Sequence, residues 1–131
     1  HRMRGEGGVL GPDLTEVHKR WKGKRIDVLR EILEPSRVVE EKYRAHDITT
    51  VLGERLYGLI SERGKKHLMI VTNPQNPVPQ KIALKDIDTQ TTTSQSLMPM
   101  GILNTFSRNQ ILDLMAYMES GGDPKHGLFK E

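Results

Sequence analysis

The sequence predicts an α+β fold, in which a helical core carries an inserted small antiparallel β sheet or half-barrel. Apolar residues recur at helical spacing near both ends of the chain, whereas the middle is rich in β-branched residues at a spacing of two. We expect residues 1–42 and 91–131 to form the two parts of the core, and residues 43–90 to form the inserted β unit.

The first part of the core is expected to be loop and then helix. Glycines and Pro12 are concentrated in residues 1–20, which we expect to be mostly loop because glycine and proline disfavour regular elements. Apolar residues then repeat at helical spacing from Arg25 to Glu34, before Pro35. A short second helix is expected from Ser36 to Lys42, which contains no helix breaker.

The residue pattern in the middle of the chain, residues 43–90, predicts strands. Turn residues such as Gly53 and Gly64 divide residues 43–90 into short segments with β-branched and aromatic residues. The proline-rich stretch 73–79 is expected to be a loop. We therefore expect four short antiparallel strands. The polar run 88–96 that follows is expected to be a linker or an extended surface segment.

A C-terminal helix is the clearest predicted element. Ser107 followed three residues later by Gln110 is typical of a capping box, and Gly121-Gly122 ends the helix. One face of the helix is apolar, with Ile111, Leu114, Met115 and Met118.

Composition limits the function classes. The 131 residues are 35% hydrophobic and only 5% aromatic, so little of the core can be aromatic. A bound cofactor could supply apolar volume to the core instead. The net charge of +3 is spread along the chain, which argues against nucleic acid, and no apolar run is long enough to span a membrane. The chain has no cysteine, which excludes disulfides and thiolate metal sites within it. Beginning at His1 without the pattern of a signal peptide, it is expected to be an internal fragment.

Three separate segments resemble one family in the same order. Residues 1–15, which include Gly11-Pro12-Asp13-Leu14-Thr15, are similar to the region just after the haem-attachment motif of class I cytochromes c. Residues 96–101, with Met98-Pro99, resemble the distal methionine loop, and residues 111–119 resemble the C-terminal helix. With Ile32 to Arg37 and the strand-rich insertion, the chain resembles the planctomycete-type haem-binding domain, often found at the C-terminal end of larger dehydrogenase-like proteins.

The resemblance implies a cytochrome c-like core and an electron carrier that is not itself an enzyme. His1 would be the proximal ligand of the haem iron and Met98 the distal ligand, with Met100 as its rival. The cofactor would be haem c, and because the family motif is Cys-x-x-Cys-His, the attachment cysteines are expected just upstream of His1. The redox partner would be a fused or separate dehydrogenase, in a periplasmic or otherwise exported protein.

The resemblance also implies supporting residues. The carbonyl of Pro12 would accept the imidazole N–H of His1, which would fix the ring and raise its basicity. The Trp21 N–H would suit a haem propionate. The remaining candidates for the haem-pocket wall or core are Leu14, Leu97, Ile102 and Leu112.

Two other functions stay open at this stage. One is a haem-free module in which the β insertion binds protein or RNA, although few aromatic residues are present for base stacking. The other is a haem enzyme with an open distal site, which would require that Met98 does not bind the iron. The remaining histidines have no metal-ligand spacing and are expected at the surface: His18, His46, His67 and His126.

Overall fold

The structure, a computed structural model, describes residues 1–130 of the chain. The chain divides into two compact units, one made of residues 1–37 together with residues from Pro99 onwards, and one made of residues 38–98. We call them the end unit and the sheet unit. No helix among residues 1–130 is long and apolar enough to cross a membrane.

The end unit contains a two-stranded antiparallel hairpin and three short helices that pack against one another in pairs. Its elements are β1 (Arg2–Met3), β2 (Glu6–Gly7), α1 (Val17–Arg20), α2 (Arg25–Leu33) and α3 (Arg108–Glu119). Its buried apolar residues are Val17, Val28, Ile32, Leu103 and Met118.

Helix α3 begins as the sequence predicts. The Ser107 hydroxyl accepts a hydrogen bond from the Gln110 N–H, and the Ser107 N–H donates to the Gln110 side chain, so the predicted capping box is confirmed. Helix α2 also begins at the predicted residue, Arg25. The predicted helix from Ser36 to Lys42 is wrong, because this stretch holds only the start of a 3-10 turn, Glu41–Tyr43.

The sheet unit is built on one five-stranded antiparallel sheet. Its strands are β3 (Arg44–Thr50), β4 (Arg55–Arg63), β5 (His67–Val71), β6 (Gln80–Ala83) and β7 (Ile87–Ser96). Their order in the sheet is β6-β5-β4-β3-β7, with every neighbouring pair antiparallel. The sequence predicted four strands, and the fifth, β7, occupies the polar run expected to be a linker or an extended surface segment.

The main hydrophobic cluster of the sheet unit combines side chains of β3, β4, β5 and β6. Ile48, Leu68 and Ile70 are fully buried, and they cluster with Leu56 and Ile82. Leu68 and Ile70 are two residues apart on β5, as expected for side chains that share one face of a strand. This cluster supplies the apolar burial that a small sheet needs to be stable.

The predicted cytochrome c-like helical core is wrong. Strands dominate the structure, and within residues 1–130 the three α-helices are only four, nine and twelve residues long. Local backbone chemistry explains the shortage of helix near the start. Helix α1 ends after one turn, because Lys22 and Gly23 both adopt positive φ, a conformation that interrupts an α-helix.

Candidate functional site

A tight hairpin folds the start of the chain back on itself. β1 and β2 are joined by Arg4 and Gly5, whose φ angles of 50° and 84° are both positive, as the two central residues of a type I′ turn require. The Arg4 N–H donates a hydrogen bond to the Thr15 hydroxyl at 2.8 Å. This bond connects the tip of the hairpin to the segment that follows it.

The same segment runs alongside β1. The Leu14 N–H donates to the Arg2 carbonyl at 2.8 Å, and Arg2 and Asp13 form a parallel bridge. This pairing places the Pro12 carbonyl beside the His1 ring, where Nδ1 lies 2.9 Å from the carbonyl oxygen. The hydrogen bond that the sequence predicted between His1 and Pro12 is confirmed.

This hydrogen bond defines the chemistry of the His1 ring. A carbonyl oxygen can only accept, so His1 Nδ1 must carry the proton, and the Nε2 of the neutral ring keeps its lone pair. Gly11 allows the ring to approach the backbone, since a Cβ on Gly11 would lie 2.6 Å from His1 Cε1 and 2.7 Å from Nδ1. An imidazole held in this way is suited to bind a metal through Nε2.

Trp21, another predicted site residue, has a polar atom without a hydrogen-bond partner among residues 1–130. The Trp21 Nε1 is buried and has no hydrogen-bond acceptor among the residues that the structure describes. A buried donor without a partner is costly, and a carboxylate would satisfy it. The haem propionate that the sequence suggested for Trp21 therefore fits the observed donor.

The other predicted site residues are distributed over both units. In the end unit Leu14 is half-buried, whereas Ile102 and Leu112 are 39% and 51% exposed. Leu97 and Met98 are half-buried in the sheet unit, where the Met98 N–H donates to the Ser96 hydroxyl at 3.0 Å. His1 and Met98 thus belong to different units, and their pairing as axial ligands stays a prediction from the sequence.

The haem c prediction is wrong for this chain. Thioether attachment needs cysteine, and the 131 residues contain none. The part of the chain that the structure describes also holds no group of three His, Cys, Asp or Glu side chains that could bind a metal. Iron could be held by this chain only through ligands such as imidazole and thioether, without a covalent link to the porphyrin.

The sheet unit has a groove that sequence reasoning missed. It has a volume of about 670 Å³, and its lining includes the charged side chains of Glu41, Lys42, Glu62 and Arg63. His46 lines it as well and is only 8% exposed, with Nδ1 3.3 Å from the Thr92 hydroxyl, so its predicted surface position is wrong. The spacing of two between His46 and the buried Ile48 could have indicated this burial.

The buried position of His46 predicts a pH dependence of stability. Burial, together with the positive charge of Arg63, lowers the pKa of His46. In the unfolded chain the His46 ring is protonated as the pH falls through about 6.5, as in free histidine. In the folded chain the ring stays neutral until the pH falls to its lowered pKa. The free energy of unfolding should therefore decrease as the pH falls from about 6.5 to the folded pKa.

Urea unfolding at a series of pH values checks this prediction. His46→Gln should flatten the decrease below pH about 6.5, because glutamine does not titrate. Thr89→Ala, at an exposed position of the neighbouring β7, removes no titratable group, so it is the control and should keep the wild-type slope. An unchanged slope in His46→Gln would contradict the assignment.

The candidate site is therefore the His1 imidazole, oriented by Pro12 and packed on Gly11, with the Trp21 donor in the same unit. The groove around His46 is a separate feature of the sheet unit. No protein-family model matches the chain, and a search of curated proteins finds no relative.

Proposed function

We propose that this chain is an electron-transfer domain in which His1 gives an axial nitrogen to a haem iron that the chain holds by coordination. The observation that supports it is the hydrogen bond from His1 Nδ1 to the Pro12 carbonyl at 2.9 Å. Such a bond fixes the tautomer, orients the ring and makes Nε2 a stronger ligand. Histidine ligands of haem iron depend on this kind of support.

Other features of the end unit are compatible with a porphyrin. Ile102 and Leu112 expose apolar surface that a porphyrin could cover, and Trp21 offers a buried N–H for a propionate. Met98 stays the predicted second ligand, and its thioether would raise the reduction potential by favouring the reduced iron. The resemblance to haem-binding domains of dehydrogenase-like proteins suggests a dehydrogenase as electron donor and an exported location.

A haem titration tests the role of His1. We expect the cysteine-free chain to bind ferric haem only weakly, with a shift of the Soret band that reports nitrogen ligation. His1→Gln should weaken binding at least about tenfold, which is about 1.4 kcal/mol, because the ligand nitrogen is lost. His67→Gln, in the sheet unit, is the control and should bind as the wild type does. Equal binding by both variants would contradict the proposal.

Gly11→Ala tests whether His1 binds haem tightly only when the Pro12 carbonyl orients its ring. The new Cβ would overlap the His1 ring and displace it from the Pro12 carbonyl. Loss of such support typically costs about 10-fold or more in metal affinity. Gly127→Ala is the matched control, because a Cβ there meets nothing within 4 Å. If Gly11→Ala binds haem as tightly as Gly127→Ala, the hydrogen bond is not what makes His1 a ligand.

The haem-free alternative would place binding in the groove of the sheet unit. Three carboxylates line that groove against two cationic side chains, so its charge does not favour the phosphates of RNA; the five residues are Glu40, Glu41, Glu62, Lys42 and Arg63. Its lining, over the residues that the structure describes, includes no Phe, Tyr or Trp on which a base could stack. The groove therefore gives RNA binding little support, and the His1 geometry supports the haem function better.

A further inference from the structure

A small cavity lies among the three helices of the end unit. It has a volume of about 50 Å³, and each of α1, α2 and α3 contributes to its lining. Three of the lining side chains carry nitrogen or sulfur atoms that can bind a metal: His18 on α1, and Met115 and Met118 on α3. His1 does not line this cavity, so whatever the cavity binds is independent of the proposed haem ligand.

The His18 ring has an unsatisfied atom. Its Nδ1 is buried and has no hydrogen-bond partner among residues 1–130. The two methionine sulfurs cannot satisfy a nitrogen lone pair, because a thioether has no proton to donate. Because buried polar atoms in proteins nearly always have a partner, a bound ion would account for the buried His18 nitrogen.

We propose that His18, Met115 and Met118 together bind one copper(I) ion. Met115 and Met118 are three residues apart on α3, so both side chains lie on the same helix face and can reach one ion. Thioethers are soft ligands that select copper(I), whereas zinc and magnesium prefer nitrogen, thiolate and carboxylate ligands. Copper(I) would bind the His18 nitrogen that has no hydrogen-bond partner among residues 1–130.

The charges around the cavity permit a monovalent cation. Arg25 and Glu119 also line the cavity, and Arg25 Nη2 donates to Glu119 Oε1 at 3.0 Å. Arg25 and Glu119 also form an ion pair, so the carboxylate balances the charge of the guanidinium. With neutral imidazole and thioether ligands, the site then carries only the single charge of the ion.

Competition with a chromogenic copper(I) chelator, in the absence of oxygen, tests the proposal on the haem-free chain. We expect one copper(I) ion to be withdrawn from the chelator, and no binding of zinc at the same site. The Met115→Leu, Met118→Leu double variant should weaken copper(I) binding at least 100-fold, because leucine preserves the volume but removes the sulfur ligands. His18→Gln should weaken it at least tenfold.

Met100→Leu and His67→Gln are the controls, because Met100 is 77% exposed and neither residue lines the cavity. Both variants should bind copper(I) as the wild type does. X-ray absorption of the copper-loaded wild type should show one nitrogen and two sulfur neighbours, a result that does not depend on any variant folding. No withdrawal of copper, equal loss in the control variants, or a copper shell without sulfur would each overturn the proposal.

Discussion

Replacement of Leu68 by alanine should lower the free energy of unfolding of the sheet unit by about 3–5 kcal/mol. Leu68 is fully buried on β5, where it packs in the cluster with Ile48, Leu56 and Ile82. The substitution removes apolar contacts and leaves a cavity between strands whose backbones are held by hydrogen bonds. Such a cavity cannot close completely, so the loss exceeds the transfer free energy of the missing atoms.

Urea unfolding, followed by the circular dichroism of the strands, measures the effect. Leu68→Met is the volume-conserving control and should cost less than about 1.5 kcal/mol. Leu52→Ala is the surface control, because Leu52 is 94% exposed in the turn between β3 and β4, and it should change stability by less than about 0.5 kcal/mol. Similar losses for Leu68→Ala and Leu52→Ala would mean that the cluster is not the core.

Gly58→Ala should destabilise the sheet unit by about 2–3 kcal/mol. Gly58 lies in β4 opposite His46 of β3, and a Cβ on it would collide with the backbone carbonyl of Val71 in β5. Because Val71 O belongs to the backbone of a neighbouring strand, it cannot move aside as the end of a side chain could. The methyl group can be accommodated only if β4 and β5 separate locally.

Thermal unfolding and amide hydrogen exchange together test this prediction. Gly58→Ala should lower the melting temperature and increase exchange in β4 and β5, where the strands must separate. Gly127→Ala again serves as the control, because its Cβ meets nothing within 4 Å. A melting temperature for Gly58→Ala equal to that of the control would show that the close approach of β4 and β5 is not required.

Local signals in the sequence predicted local structure well. The spacing from Ser107 to Gln110 depends only on neighbouring residues, and the structure contains the capping box that it predicted. The hydrogen bond between His1 and Pro12 was also predicted, although from the resemblance rather than from the residues alone. Helix α2 began at the expected residue because its apolar spacing is regular.

Features that depend on distant residues were not predicted. The run from Asp88 to Ser96 has no alternation of apolar and polar residues, so nothing local identified it as a strand, and only its pairing with β3 makes it one. His46 is buried because strands distant in sequence meet around it. The helical core was expected from the resemblance, but the helix predicted from Ser36 to Lys42 did not form, and the five strands of the sheet unit span more residues than the three α-helices.

The composition of β7 has a consequence for association between molecules. β7 is the last strand in the sheet order, and the outer edge of such a strand can pair with another copy of the chain and start aggregation. Its ten residues contain one apolar side chain, Ile87, and register shifts at both ends leave only four consecutive pairs with β3, from His46 to Thr49. An irregular and polar edge is a poor template for a second chain, so the composition of β7 protects the protein against edge-to-edge aggregation.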